Sequence, residues 1–197
     1  MKRCVLLALH YQNDVVHADG LIRLGFTSGA GHREDVLAAA GRLFAGARAG
    51  GVPIVHVRIA FRPDHADVIR NGPIWENVAR IGAVAEGTWG AAFHERLTPL
   101  AEEHVVRHGR VNAFYGSPLE ETLRLFDPQH LAIAGVATNS TVEHTARHAA
   151  DMGFRVTVVE DACAASRPGL HRAALDNISL IGRVMAADAV VEEWRAT

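Results

Sequence analysis

Three residues that can take part in chemistry each come after an apolar segment typical of a buried strand. The residues are His10, His108 and Thr141, and the segments before them span residues 5–9, 104–107 and 131–135. In an open parallel α/β sheet, ligands bind at the carboxyl ends of the strands. We therefore predict that His10, His108 and Thr141 face one cavity and are its catalytic residues.

The chemistry of this set depends on its histidines. An imidazole has an ordinary pKa of about 6.5, which suits proton transfer near neutral pH. Two imidazoles in one cavity would influence each other's protonation, so that one neutral and one charged ring form a base and an acid. The hydroxyl of Thr141 is a weak acid, and it needs such a base before it can attack a substrate.

The composition is that of a globular protein, with 49% hydrophobic and 21% charged residues among 197. We expect one domain spanning residues 1–197. The net charge of −2 gives no basic surface for nucleic acid and no polybasic membrane segment. The first apolar run is too short to cross a bilayer and lacks a signal-peptide cleavage site. With only two cysteines, we expect a cytoplasmic protein.

Strand and helix patterns alternate along the chain. Predicted strands span residues 5–9, 52–59, 104–107, 131–135, 155–159 and 182–185, and predicted helices span 35–49, 119–126, 141–152, 168–179 and 187–195. Alternation of this kind predicts a three-layer αβα, doubly wound sheet of about six mainly parallel strands. The residues between these elements, 17–32 and 60–90, are long irregular segments of the kind that often cover a site.

Several residues near the predicted sheet edge are candidates for substrate contact. They are Gln12, Arg58, Arg110, Phe114, Ala137, Thr138 and Ser140. An arginine there would pair with a carboxylate through two parallel hydrogen bonds, although a structural ion pair explains Arg58 or Arg110 equally well. The aromatic residues that would form apolar walls are Phe114, Tyr11, Phe61, Trp75 and Trp89, although core packing alone explains Phe114 and one of the tryptophans.

The segment of residues 135–143 follows a strand and opens a helix. Free N–H groups at a helix start can hold an anion or a developing oxyanion. The side chains of Thr138, Asn139, Ser140 and Thr141 are also of the types that cap helices. Capping and ligand binding both remain open from the sequence.

Three blocks of the chain, in the same order, resemble those of the isochorismatase-like family, also called the cysteine hydrolase superfamily. The family has Asp-x-Gln-Asn-Asp after a strand, a Lys before Ala-Phe, and Gly-Val-Ala-Thr-Asn-x-Cys-Val-Glu opening a helix. The corresponding segments here are His10-Tyr-Gln-Asn-Asp14, His108-Gly-Arg-Val-Asn-Ala-Phe114 and Gly135-Val-Ala-Thr-Asn-Ser-Thr141-Val-Glu143. The resemblance implies the α/β fold, hydrolase activity on a small molecule, and a homodimer or homotetramer.

The resemblance also implies an Asp–Lys–Cys triad, from which this chain departs at every member. His10 replaces Asp, His108 replaces Lys and Thr141 replaces Cys. Some relatives that hydrolyse a vinyl ether also lack the cysteine and are thought to use water with their Asp as a proton donor. Three interpretations stay open. They are a hydrolase with histidine acid–base catalysis on a C–N or ether bond, a lyase or isomerase of biosynthesis, and an inactive small-molecule-binding protein.

A metal centre is the weaker interpretation of these histidines, and we predict no cofactor. His10, His108 and His56 could supply nitrogen ligands, but the metal-using relatives carry Asp-x-His after the second strand, and residues 58–62 lack it. His144 and His148 are spaced as half a metal site, yet the apolar face of their helix predicts that they point to solvent. The loop histidines, 17, 32 and 65, are expected to be solvated, and Cys163 structural.

Overall fold

The computed structural model describes residues 3–26 and 30–196, with side chains from His32 onward in the second stretch. Its centre is one sheet of six strands, all paired in parallel. The strands are β1 (Cys4–Leu9), β2 (Ile54–Ile59), β3 (His104–His108), β4 (His130–Gly135), β5 (Arg155–Val159) and β6 (Arg183–Met185). Every residue of β1 and β4 is buried, as expected for central strands covered on both faces.

The strand order is β3-β2-β1-β4-β5-β6, so the winding direction reverses between β1 and β4. A crevice opens at such a reversal, beyond the carboxyl ends of the strands. At this point Leu9 is in register with Gly135. Gly135 has a φ of 151°, and a Cβ there would lie 2.3 Å from the Leu9 carbonyl oxygen. Glycine is therefore required for the two strands to meet at the crevice.

Helices cover both faces of the sheet and complete the predicted three layers. They are α1 (Asn13–Val16), α2 (Ala30–Ala49), α3 (Pro73–Ile81), α4 (Leu119–Arg124), α5 (Glu143–Asp151), α6 (Pro168–Ile178) and α7 (Ala187–Arg195). One apolar core joins α2 and α7 to the sheet, and a second joins α4, α5 and α6 to its other face. None of the helices in the described ranges combines the length and apolar character that crossing a bilayer requires.

Three short helical turns complete the described elements. Two are 3₁₀ turns, Glu95–Leu97 and Glu160–Ala162, and one is a π-helical turn, Thr138–Val142, that leads directly into α5. The π turn replaces the first part of the helix predicted over residues 141–152. A π turn inside a helix is uncommon and frequently occurs at a functional site.

Two segments differ from their sequence predictions. Helix α2 begins at Ala30 rather than at residue 35, and the part of the predicted loop at residues 27–29 lies outside the described residues. Within the predicted irregular segment 60–90, residues Pro73–Ile81 form α3. Its start and stop signals were present, since Pro73 occupies the first turn and Gly82 ends the helix in a left-handed conformation.

Candidate active site

A cavity that is partly open to solvent lies at the carboxyl ends of β1 and β4. It is lined by His10, Val15, Ile22, Leu24, Ile59, Ile74, Trp75, Val78, Arg110, Val111, Val136, Ala137, Ser140 and Thr141. Most of this lining is apolar, and a few polar groups converge on it. Cavities of this kind bind small molecules.

His10 enters the cavity from the end of β1. Its backbone is in the left-handed region, with a φ of 59°, which is uncommon for a residue other than glycine. Only 7% of the residue is exposed. Strained conformations of this kind cluster at functional sites. Here the turn directs the chain away from the buried strand and places the imidazole at the switch point of the sheet.

His108 lies behind His10 at the end of β3. Their Nε2 atoms are 2.5 Å apart, and the Nδ1 atom of His108 is 3.2 Å from the carbonyl oxygen of Asn112. A carbonyl only accepts, so His108 carries its proton on Nδ1. Its Nε2 then accepts a hydrogen bond from His10. His108 is outside the cavity lining, unlike its prediction from the sequence, and contacts His10 instead.

The pair is neutral in the folded protein at pH 7. Burial lowers the pKa of His10 well below its ordinary value, and neighbouring His108 lowers it further, while the backbone of Val136 opposes the shift. Burial lowers the pKa of His108 to about 4, against the opposing hydrogen bond to Asn112. The Asn112 carbonyl at the His108 end of the pair and the Val136 backbone at the His10 end can accept hydrogen bonds from the rings when one proton is added. The two rings can therefore accept one proton together.

Thr141 presents a hydroxyl without a partner to the same cavity. The residue is 2% exposed, and its Oγ1 atom makes no hydrogen bond in the described structure. Buried hydroxyls usually have a partner, so this atom is suited to a bound ligand. The same observation means that neither histidine is hydrogen-bonded to Thr141. The hydroxyl has no base in contact with it.

The loop before α5 offers fewer N–H donors than its sequence suggested. The N–H of Thr138 donates to the Ala164 carbonyl, and the N–H groups of Ser140 and Val142 both donate to the Ala137 carbonyl. These three groups are therefore occupied. The capping interpretation is also wrong, since neither the π turn nor α5 has a side-chain cap at its start.

Arg110 forms part of the cavity wall beside Trp75. Its guanidinium lies over the indole ring, 4.5 Å from the ring centre. It donates to the Ile69 carbonyl oxygen at 3.2 Å and to Oδ1 of Asn71 at 3.0 Å. Trp75, Ile74 and Val78 all come from α3, so the helix that the sequence pattern missed supplies one side of the cavity.

Of the seven predicted substrate contacts, the structure brings Arg110, Ala137 and Ser140 to the cavity and leaves the other four outside it. The Gln12 amide is fully buried in hydrogen bonds to backbone groups of residues 59 and 91. Arg58 pairs with Glu86 at 2.9 Å. Phe114 stacks on His148, and the Thr138 hydroxyl is 2.8 Å from Nδ1 of His171.

The remaining histidines have separate surroundings. His56 is buried against Glu103 at 2.8 Å, and the described residues contain no cluster of three potential metal ligands. His144 and His148 are exposed on α5, as predicted. His65 was expected in solvent, but it is 5% exposed and its Nε2 lies 2.9 Å from the Ala83 carbonyl oxygen. Burial raises the pKa of the Cys163 thiol to about 12, which makes it inert near neutral pH.

The sequence model of the isochorismatase domain family matches residues 4–189 of the chain. The chain belongs to the isochorismatase family. A ureidoacrylate amidohydrolase of Methylobacterium radiotolerans is 32% identical over 188 residues, which cover 88% of this chain and 72% of that protein. The isochorismatase family protein YecD of Escherichia coli O157:H7 is 30% identical over 169 residues, covering 85% and 88% of the two chains.

Solved structures of isochorismatase family proteins share the fold. A family member from Burkholderia thailandensis superposes with a TM-score of 0.80 at 27% identity, covering 99% of this chain and 96% of the other. A cysteine hydrolase from Pseudomonas syringae pv. phaseolicola superposes with a TM-score of 0.87 at 22% identity, covering 98% and 93%. The family places this chain among hydrolases. In this chain His10 and Thr141 line the cavity, and His108 contacts His10 from outside it.

Proposed function

We propose that this isochorismatase family hydrolase cleaves a C–N or ether bond of a small metabolite by histidine acid–base catalysis, without a covalent enzyme intermediate. One observation carries the proposal. His10 lines the cavity, while its Nε2 is 2.5 Å from that of His108. This arrangement gives a ring in the cavity whose orientation is fixed by a second residue, as the third residue of a catalytic triad orients the base.

The proposed reaction uses water as the nucleophile. The imidazole of His10 is the group that takes a proton in this proposal, because it lines the cavity and is held by His108. At an amide or ureido carbonyl, His10 removes a proton from water as the water oxygen attacks the carbonyl carbon. The bond from that carbon to the leaving nitrogen then breaks, and His10 returns the proton to the nitrogen. The positive charge held between these steps is stabilised by the Val136 backbone, while the contact with His108 fixes the orientation of the ring.

In this proposal Thr141 binds the substrate rather than attacking it. Its hydroxyl lacks a hydrogen-bonded base, so deprotonation before attack has no acceptor in place. The same hydroxyl can donate a hydrogen bond to a carbonyl or ether oxygen of the substrate. Such a donor stabilises the charge that develops on that oxygen as the water attacks.

The named activity of one relative favours the C–N bond. The Methylobacterium radiotolerans protein, 32% identical, is an amidohydrolase. We propose an amide or ureido group as the bond cleaved here, with the ether bond as the second choice. We also propose a cytoplasmic homodimer or homotetramer without nucleic-acid or membrane partners.

The test is a turnover screen with small N-acyl, N-carbamoyl and vinyl ether compounds. The parent protein should release product, and His10→Ala should reduce the rate by about 10²–10⁴-fold. The exposed His104, at the amino end of β3, provides a matched control, since His104→Ala should keep the parental rate. In ¹⁸O-labelled water a single turnover should place the label in the product, and intact mass should reveal no adduct on Thr141.

Two results would contradict the proposal. An unchanged rate in His10→Ala would remove the histidine from the chemistry. A ligand that binds in the cavity, with no product from any of the compounds, would favour the inactive binding protein.

A further inference from the structure

Arg110 occupies the boundary between the cavity and the surface. It lines the catalytic cavity, and it also lines an exposed groove formed with Ile69, Tyr115 and His144. A side chain shared by both spaces stands at the entrance. Any substrate that reaches His10 from this groove passes the guanidinium.

The positive charge of Arg110 is not matched by a carboxylate. Its two hydrogen-bond partners, the Ile69 carbonyl and the Asn71 amide, are both neutral. Other arginines near this edge are paired with acids, as Arg58 is with Glu86 and Arg107 with Asp67. Among the described residues, no Asp or Glu lines the cavity. The guanidinium therefore remains available to an anion from outside the protein.

The geometry of the guanidinium is fixed before any ligand arrives. Trp75 supports one face of the group at 4.5 Å, and the two hydrogen bonds hold its edge. These contacts engage two of its five N–H donors. A guanidinium held in this way loses little freedom on binding and presents a planar fork that matches a carboxylate.

The walls around this cation limit the chemistry of the rest of the ligand. Ile22, Ile74, Val78 and Val111 give the cavity an apolar surface, with the His10 and Thr141 side chains at its sheet end. A phosphate or a dicarboxylate would bring more charge and bound water than one guanidinium can replace. A ligand with one planar anionic group and an apolar body complements both the guanidinium and the apolar walls.

We propose that the substrate is a monocarboxylate with an apolar body, held by Arg110 at the entrance while its reacting bond faces His10 and Thr141. This inference rests on the proposed hydrolase function, because the bound monocarboxylate is a substrate only if the protein cleaves it. The binding preference itself needs no turnover. The two can therefore be tested separately.

The experiment measures binding of three probes of similar size and different charge to the full chain by calorimetry at pH 7.5. Benzoate should bind about 10- to 100-fold more tightly than benzyl alcohol, in line with a charge-assisted hydrogen-bonded pair. Benzylammonium should bind more weakly than benzyl alcohol. Arg110→Gln should bring benzoate to the affinity of benzyl alcohol, and Arg110→Lys should keep part of the preference.

Controls separate this inference from the proposed reaction. Arg62→Gln removes an exposed arginine paired with Asp64, and it should keep the preference for benzoate. His10→Ala should also keep that preference even though it abolishes turnover. A thermal unfolding curve confirms that each variant is folded.

Equal affinity for benzoate and benzyl alcohol in the parent would overturn the inference. So would a folded Arg110→Gln protein that still prefers benzoate, since Arg110 would then serve only to pack against Trp75. Either result leaves the proposed hydrolysis by His10 standing. If the protein binds benzoate selectively but shows no turnover, the proposed reaction is contradicted and the proposed substrate class stands.

Discussion

The Thr145 hydroxyl on α5 accepts a hydrogen bond from the backbone N–H of Ala113 at 3.1 Å. Ala113 follows Asn112, whose carbonyl oxygen is the partner of Nδ1 of His108. The helix that begins just after Thr141 therefore holds the turn that orients His108. Through this contact the helix that follows the third block of the family pattern supports the second block.

Replacing this hydroxyl tests whether the orientation of His108 matters. Thr145→Val should lower the free energy of unfolding by about 1–3 kcal/mol, because the buried N–H of Ala113 loses its partner. It should lower kcat with little change in KM, since Thr145 is a positioning residue. Thr145→Ser should restore both, and Thr122→Val, which removes an exposed hydroxyl bonded to the Pro118 carbonyl, is the matched control. A change in KM alone would contradict the positioning role.

The Thr141 hydroxyl, unlike that of Thr145, should contribute to activity and not to stability. Its hydroxyl has no partner within the described protein, so Thr141→Val removes an unsatisfied buried group, and the free energy of unfolding should stay the same or rise by about 1 kcal/mol. The same change should reduce kcat/KM by about tenfold or more, as the loss of one hydrogen bond to the substrate predicts. Thr141→Ser should retain activity. Marked destabilisation of Thr141→Val would mean that the hydroxyl has a structural partner.

The histidine pair should make stability depend on pH. His10 and His108 have lowered pKa values in the folded protein, that of His108 being about 4, while both are ordinary at about 6.5 in the unfolded chain. Between these values the unfolded chain binds more protons. The stability present above pH 6.5 is therefore lost as pH falls towards 4, by about 1.4 kcal/mol per pH unit for each fully engaged histidine.

Urea unfolding at a series of pH values measures this slope. A folded double variant, His10→Gln with His108→Gln, should show a shallower slope than the parent protein. The slope should not vanish, because burial also lowers the pKa of His56, His94, His130 and His171. The exposed His144 serves as the control, with His144→Gln keeping the parental slope. A double variant with the parental slope would show that the pair is not buried in the neutral form.

Gln12 should matter for stability rather than for substrate affinity. Its amide nitrogen donates to the carbonyl oxygens of Ile59 and Ala91, and its oxygen accepts from the N–H of Ile59, all at 2.8 Å. Gln12→Met would leave these buried groups unpaired, so unfolding should become easier by about 3 kcal/mol. Gln129→Met, at an exposed glutamine, should have little effect. An increased KM at unchanged stability would instead restore Gln12 to the substrate.

The sequence was most informative at the ends of the strands. Apolar runs defined β1 and β4 within about a residue, and the first polar residue after β1 is the one that lines the cavity, since the strand ends there. It was least informative about the cavity walls. Trp75 was a candidate wall residue and lines the cavity, but α3, the helix that holds it with Ile74 and Val78, was not predicted. Side-chain direction also decided the roles of Gln12 and Phe114, and no spacing rule indicates direction within a loop.

The central claim, that His10 and His108 act as one catalytic unit, is tested most directly by a double-mutant cycle on kcat/KM. The variants are His10→Ala, His108→Ala and the double variant, each assayed with the best compound from the turnover screen. When two residues act as one unit, removing either of them removes their joint contribution. The kcat/KM of all three variants should therefore fall by a similar factor of about 10²–10⁴. Losses that multiply in the double variant, or a His108→Ala protein with parental activity, would contradict the account.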